Sequence, residues 1–492
     1  MNAVLFVFLT FHVPIHSPMT PCRSLITILF SVLFFLSAVA QTTLPTFLQP
    51  NNRYGGPHVN RWADSVFATL TPDERIGQLI MVAGYSNRKP AYEDSLVTLV
   101  RTNKLGGVVF FQGGPIRQAK LTNRLQALST VPLLIAMDAE WGLAMRLDST
   151  VRYPYQMTLG AMPGSDSLIY QMGANLARQA RRLGVHVNFA PSVDVNNNPN
   201  NPVINFRSFG EDKYAVARKA LAYVRGMEDN RLLTSIKHFP GHGDTGTDSH
   251  YDLPLINKSR AQLDSLELYP FRQLINAGAS GVMIAHLSIP ALDTTRNRPS
   301  TLSPNIVTNL LKNELGFQGL IFSDAMNMKG VTKYFPSGKA DALGIEAGMD
   351  VLEFTEDVPA ALTLIKQAVA DGRISQESLD ARCLKVLRAK AWLGLNQYKP
   401  IVLDNLVRDL NPVQDVILNR QLTEASLTVL KNDRNLLPLK RLDTLRIASV
   451  AVESDKLTAF QQMAGNYTQV DHFRLNSKMA DSTVARVLES LR

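Results

Sequence analysis

Between residues 60 and 400, short apolar runs of strand length alternate with segments of helical period, and that alternation leaves few folds open. The runs fall at 79–83, 107–111, 133–137, 185–189, 233–237, 281–285, 319–322 and 350–354, with helical stretches such as 168–182, 213–227 and 262–277 between them. Strands that are apolar throughout, each followed by a helix, predict a parallel sheet covered on its faces. Eight such units in about 300 residues predict an α/β protein built as a (β/α)8 barrel of the TIM type. An open doubly wound sheet is the rival that periodicity leaves standing. Hydrophobic residues at 45% and charged residues at 19% are ordinary globular proportions, which excludes collagen-like, coiled-coil and wholly disordered chains.

The polar punctuation of the runs says more. Met137-Asp138-Ala139-Glu140, Lys237-His238, Ala285-His286, Ser323-Asp324 and Glu353 all place ionisable groups at the end of an apolar run. In a barrel, strand ends converge on one mouth, where barrel enzymes carry out their chemistry. A barrel with no active site has no reason to gather charge there.

The densest segment is Lys237-His238-Phe239-Pro240-Gly241-His242-Gly243-Asp244-Thr245-Gly246-Thr247-Asp248-Ser249-His250. Its glycines and Pro240 make it a long loop. Three histidines invite a zinc reading, but Pro240 and Gly241 keep His238 and His242 off a common helical face, and no metal is expected. Asp248 and His250 are two residues apart, so in an extended loop their side chains point the same way and can meet. A carboxylate beside an imidazole fixes its tautomer and makes it a proton donor near neutral pH. Asp324 is a second isolated carboxylate, either a nucleophile or an N-cap for the next helix. A carboxylate facing a proton donor across one mouth is the arrangement of retaining glycoside hydrolysis.

Here the residues resemble a known family, the family 3 glycoside hydrolases, in their bacterial β-N-acetylglucosaminidase (β-hexosaminidase) branch. The resemblance runs from about 60 to 400 through Met137-Asp138-Ala139-Glu140 with Arg146, Asn201-Pro202-Val203-Ile204, Arg207-Ser208-Phe209-Gly210, Lys237 to His250, and Phe322-Ser323-Asp324-Ala325-Met326. It implies that Asp324 is the nucleophile, His250 the general acid/base and Asp248 its orienting partner. It also implies that Asp138, Arg207, Lys237 and His238 hold the sugar hydroxyls and that Met326 lines their subsite. Arg146, Glu140 and His286 are expected behind these contacts. The implied substrates are β-GlcNAc glycosides, muropeptides among them, with no metal or organic cofactor. A β-N-acetylglucosaminide phosphorylase, a β-glucosidase and a non-catalytic peptidoglycan-fragment binding protein are the other readings.

The two ends are read separately. Residues 1–40 hold one Arg and no acid, and their apolar run ends in Ala38-Val39-Ala40. That is the pattern of a secretory signal peptide, with 1–18 as an upstream extension; an uncleaved anchor is the rival. Export to the periplasm or cell surface is therefore expected. Residues 41–59 and 401–422 are expected to be linkers around the catalytic domain at 60–400. Residues 423–492 read as the start of a second α/β domain with further domains downstream. With Cys22 in the signal segment, Cys383 stands alone in a helical stretch and reads as a buried structural thiol. The net charge of +9 is spread without a Lys/Arg run, so no nucleic-acid partner is expected, and no stable membrane insertion after cleavage.

Overall fold

The structure, a computed structural model, describes residues 43–49, 57–164 and 166–491. The expected signal segment, 1–40, lies outside them. Two compact units divide the chain after Leu427.

In the first unit every apolar run becomes a strand: β1 Ile80–Tyr85, β2 Gly107–Gln112, β3 Leu134–Met137, β4 Val187–Asn188, β5 Leu233–Thr234, β6 Ile236–Phe239, β7 Gly281–Ile284, β8 Leu320–Ser323 and β9 Leu352–Glu353. All pair in parallel, in the orders β5-β4-β3-β2-β1-β9 and β6-β7-β8. This is a parallel-sheet α/β fold.

The fifth run is split at Ser235, where the chain changes partner: β5 pairs with β4, and β6 with β7. Backbone bonds span that seam, from Lys237 N–H to Pro191 O (3.1 Å) and from Val193 N–H to Lys237 O (2.7 Å). At the other seam Ser323 N–H donates to Val351 O (3.0 Å) and Asp350 N–H to Ile321 O (2.9 Å).

Strands open on glycine where neighbours approach closely. A Cβ on Gly107 would lie 2.4 Å from Leu134 O, and one on Gly281 2.5 Å from Thr234 O. The helices match their expected spans except 262–277, which divides into Arg260–Ser265 and Leu268–Asn276. Pro270 has no N–H for the Leu266 carbonyl, so a continuous helix would lose that bond.

Parts of both expected linkers are folded among the described residues. Residues 401–422 carry the helix Leu406–Leu410 and most of the helix Val413–Ser426, with Leu406, Leu410, Leu418 and Leu422 buried. They dock on the helix Ser167–Arg182 because buried Asp415 accepts from Arg178 and from Gln179 Nε2 (2.8 Å). In the stretch 41–59, Phe47 is buried and Thr43 N–H reaches Asn276 O (3.3 Å). Phe47 and Leu406, Leu410, Leu418 and Leu422 are part of the hydrophobic core. Cys383 is free and buried, as expected.

The second unit, described by itself, holds β10 Ile447–Val452 and β11 Val470–Leu475, paired in parallel, with helices Ala459–Ala464 and Asp481–Ser490. Gln461 ties it together, donating to Phe473 O (3.0 Å) and Ser449 Oγ (3.1 Å).

Candidate active site

Parallel strands send their C-terminal ends to one face, and the polar residues at those ends surround a cavity of about 290 Å³. Asp138, Arg207, Lys237, His238, His250 and Asp324 all line it. These are the expected groups, brought together from segments up to 186 positions apart (324 − 138).

The floor is a network of shared charges. Lys237 Nζ donates to Asp138 Oδ1 (2.7 Å) and lies 2.8 Å from Glu140 Oε1. Arg146 donates to the other Asp138 oxygen. Arg207 grips Glu140 with two nitrogens, Nε to Oε2 (3.0 Å) and NH2 to Oε1 (2.6 Å). Burial alone would raise the Asp138 and Glu140 carboxyls, but these cations hold both low, Glu140 at about 2. Burial would likewise lower Lys237, and Asp138 and Glu140 overrule it, so its pKa is raised. Hydrogen-bonding capacity remains on both sides: Lys237 has a third N–H to donate, and the Asp138 carboxylate has accepting lone pairs beyond the two in use. Those are the groups left for a polyol.

His238 is fixed from both sides. Its Nδ1 meets Asp194 Oδ2 at 2.7 Å, and Arg207 NH2 lies 3.2 Å from its Nε2. Arg can only donate, so Nε2 accepts and Nδ1 carries the proton. Asp194 also accepts from His242 N–H (2.7 Å) and Ser192 Oγ (2.8 Å). This buried carboxylate anchors the start of the long loop, and sequence reasoning missed it. The signal was weak, since Asp194 lies five residues beyond the end of the fourth apolar run, whereas Asp138 directly follows the third.

Asp324 leaves the end of β8 with Oδ1 accepting the Ala325 N–H (2.8 Å). It is not an N-cap; the next helix, Lys329–Thr332, is capped at Met328. Burial would raise its carboxyl, while the imidazoles of His286 and His238, the Ala325 N–H and the Lys237 ammonium bring it below the usual carboxylate value. His286 is held by Thr301 Oγ1 (2.8 Å) and Ala325 O (3.0 Å), and burial lowers its pKa.

Across the cavity, His250 Nδ1 meets Asp248 Oδ1 at 2.7 Å. They meet through a turn rather than an extended strand: Asp248 Oδ1 also accepts the His250 N–H (2.9 Å), and Asp248 O accepts from Tyr251 and Asp252. The His250 side chain is 62% exposed and Asp248 sits behind it, outside the lining. The loop is clipped to the segment after Asp324, where Gly330 N–H donates to Ser249 O (3.0 Å) and Lys333 Nζ to Asp252 Oδ2 (2.8 Å).

Met326, expected to line the subsite, lies outside the cavity lining. Its side chain packs in the buried core and its N–H holds Glu353 O (2.9 Å), while Met328, Met283 and Met145 line the cavity. Two positions on, the turn faces the other way. Trp141, also in the lining, meets Tyr155 edge-on with ring centres 4.8 Å apart, and Tyr155 in turn meets exposed Phe206 at 4.4 Å.

This geometry can grip a small polyol, offer a carboxylate nucleophile and supply a braced imidazole. Comparison with known proteins gives the family. β-Hexosaminidase A of Pseudoalteromonas piscicida is 31% identical over 446 residues, 81% of this chain and 73% of that protein. A solved glycoside hydrolase family 3 β-N-acetylglucosaminidase from Paenibacillus sp. str. FPU-7 is 31% identical with TM-score 0.68, covering 86% of this chain and 83% of the other. The β-glucoside phosphorylase BglX, bound to 2FGlc, is 26% identical with TM-score 0.73, covering 85% and 78%. The model of the glycosyl hydrolase family 3 N-terminal domain matches residues 71–389, and the chain belongs to that glycoside hydrolase family.

Proposed function

We propose that the chain is a retaining exo-β-N-acetylglucosaminidase. The observation that carries this is the pairing of Asp324 and carboxylate-braced His250 on the wall of one cavity, above the Asp138–Lys237–Arg207 floor. At about 290 Å³ the cavity is at the low end for ligand pockets, which suits a single terminal sugar ring. The N-acetylhexosamine identity rests on the relatives' names, β-hexosaminidase and β-N-acetylglucosaminidase.

In the first step the free Asp324 oxygen attacks the anomeric carbon while His250 Nε2–H protonates the leaving oxygen, giving a glycosyl ester on Asp324. In the second, His250 takes a proton from water as that water displaces Asp324 and restores the configuration. Positive charge that develops on the ring is met by the Asp324 carboxylate, while hydrogen bonds to Asp138, Lys237 and Arg207 hold the ring in place. His238, oriented by Asp194, supports the same subsite, and Asp248 holds the His250 tautomer. No step calls for a metal or an organic cofactor.

The wider reading follows. The two sheets form a closed (β/α)8 barrel, a reading supported by the backbone bonds at both seams. The catalytic domain spans 60–400 with helices packed on it to 427, and a second α/β domain begins at 428. The pattern of residues 1–40 supports export, so peptidoglycan fragments at the periplasm or cell surface are the substrates. The aglycone leaves along Trp141, Tyr155 and Phe206.

The test is hydrolysis of p-nitrophenyl β-N-acetylglucosaminide by wild type and Asp324→Ala, with and without phosphate. A loss of roughly 10³-fold or more is expected from the variant. Equal rates would refute the assignment, and a sugar phosphate formed only with phosphate present would make the enzyme a phosphorylase.

A further inference from the structure

One carboxyl in the cavity wall has no part in the chemistry above. Glu353 ends β9 and is 3% exposed. Its backbone is occupied, N–H donating to Ser323 Oγ (2.9 Å) and carbonyl accepting from Met326 (2.9 Å). Its side chain lines the cavity with Asp138 and Asp324, the other two acids of that lining. Those two are partnered, Asp138 by Lys237 and Arg146 and Asp324 by the Ala325 N–H. Glu353 Oε2 is buried with no hydrogen-bond partner among the described residues.

An orphaned polar atom in a ligand cavity is costly unless the ligand satisfies it. The protonation state decides what it can offer. Burial, then the charges of Asp138 and Asp324, push the Glu353 carboxyl well above its ordinary value, against the opposing pull of Lys237 and Arg146. A shift in that direction favours the protonated carboxyl, which is a donor as well as an acceptor, whereas the Asp138 carboxylate only accepts. A sugar hydroxyl needs both: it donates its proton to one group and receives a hydrogen bond from another.

We propose that Glu353 is a substrate-positioning residue of the sugar subsite, its unpartnered carboxyl making a hydrogen bond to a ring hydroxyl of the bound N-acetylhexosamine. The proposal rests on the glycosidase reading and deepens it. It makes the subsite selective for sugars that carry that hydroxyl, because its absence leaves a buried O–H unpaired.

The experiment compares wild type, Glu353→Gln and Glu353→Leu on p-nitrophenyl β-N-acetylglucosaminide and on its 3-, 4- and 6-deoxy analogues. Gln keeps size, neutrality and a donor, so its kcat/KM should stay within about threefold of wild type on the parent sugar. Leu should lose about thirtyfold on the parent. That loss should shrink below about threefold on one deoxy analogue, the one lacking the hydroxyl that Glu353 holds. Where the Leu protein fails to fold, Glu353→Met carries the same comparison against Gln. A loss of equal size on every analogue, or no loss on the parent, overturns the proposal and makes Glu353 a packing group. Wild type inactive on the parent sugar overturns the glycosidase reading, and this proposal with it.

Discussion

At the scale of single residues, the two chemical roles are built differently. His250 is exposed and depends on one neighbour, Asp248, at 2.7 Å. The acid role proposed for His250 matters in proportion to how badly the leaving group needs a proton. For His250→Ala, kcat/KM on a methyl or disaccharide N-acetylglucosaminide should fall by about 10²–10⁴-fold. On a dinitrophenyl glycoside the fall should be far smaller, since that group leaves unassisted. Matching losses on both substrates would remove His250 from the acid role. That Asp324, His250, Asp138 and Lys237 gather at one cavity was legible because residue type and place at a strand end or in a polar loop both carry meaning. Glu353 was visible as a polar strand end without a role, because what singles it out is the lack of a partner, a property of the packed interior. Met326 was misplaced because a turn decides which of two nearby methionines faces inward.

At the scale of elements, the loop that bears His250 is held at its root by buried Asp194, which takes hydrogen bonds from Ser192, His238 and His242. Removing that carboxylate strands several buried donors at once. Asp194→Ala should cost about 3–5 kcal/mol in urea unfolding and lower activity with it; a cost under about 1 kcal/mol would show that the loop root is held elsewhere. The strands themselves were readable as apolar runs, but their limits were not. β4 and β9 are only two residues long, because a ladder extends only as far as its neighbours do. Residues 401–422 were misread as a linker because their leucines find a partner, the helix Ser167–Arg182, more than 200 positions earlier. Local composition holds no trace of such a partner.

At the scale of the molecule, the cavity and a second buried ionisable group lie at opposite ends of the strands. Gln78, just before β1, accepts from buried Lys390 Nζ at 2.6 Å, far from the strand ends that surround the cavity. Burial pulls Lys390 down to about 7, against the opposing effect of the Cys383 thiol. Below that pH the folded chain carries the full cost of a buried cation. Between about 7 and the ordinary lysine value the unfolded chain binds more protons than the folded one, so stability rises with pH. The wild-type melting temperature should therefore gain on that of Lys390→Met from pH 6 to 9, with kcat/KM unchanged; a constant gap would show that Lys390 titrates normally. The order of the strands follows from the sequence, while this division between ends emerges only once they are arranged. The exposed His250 loop has an evolutionary consequence. The Asp248–His250 pair makes no side-chain ion pair with Asp138, Lys237 or Arg207 among the described residues, so the acid proposed there can be exchanged in a few local steps while the floor is inherited intact. The floor cannot drift that way, because Lys237, Asp138, Glu140 and Arg207 each hold another in place. Descendants of such a chain would diversify first in their leaving groups and last in their sugar.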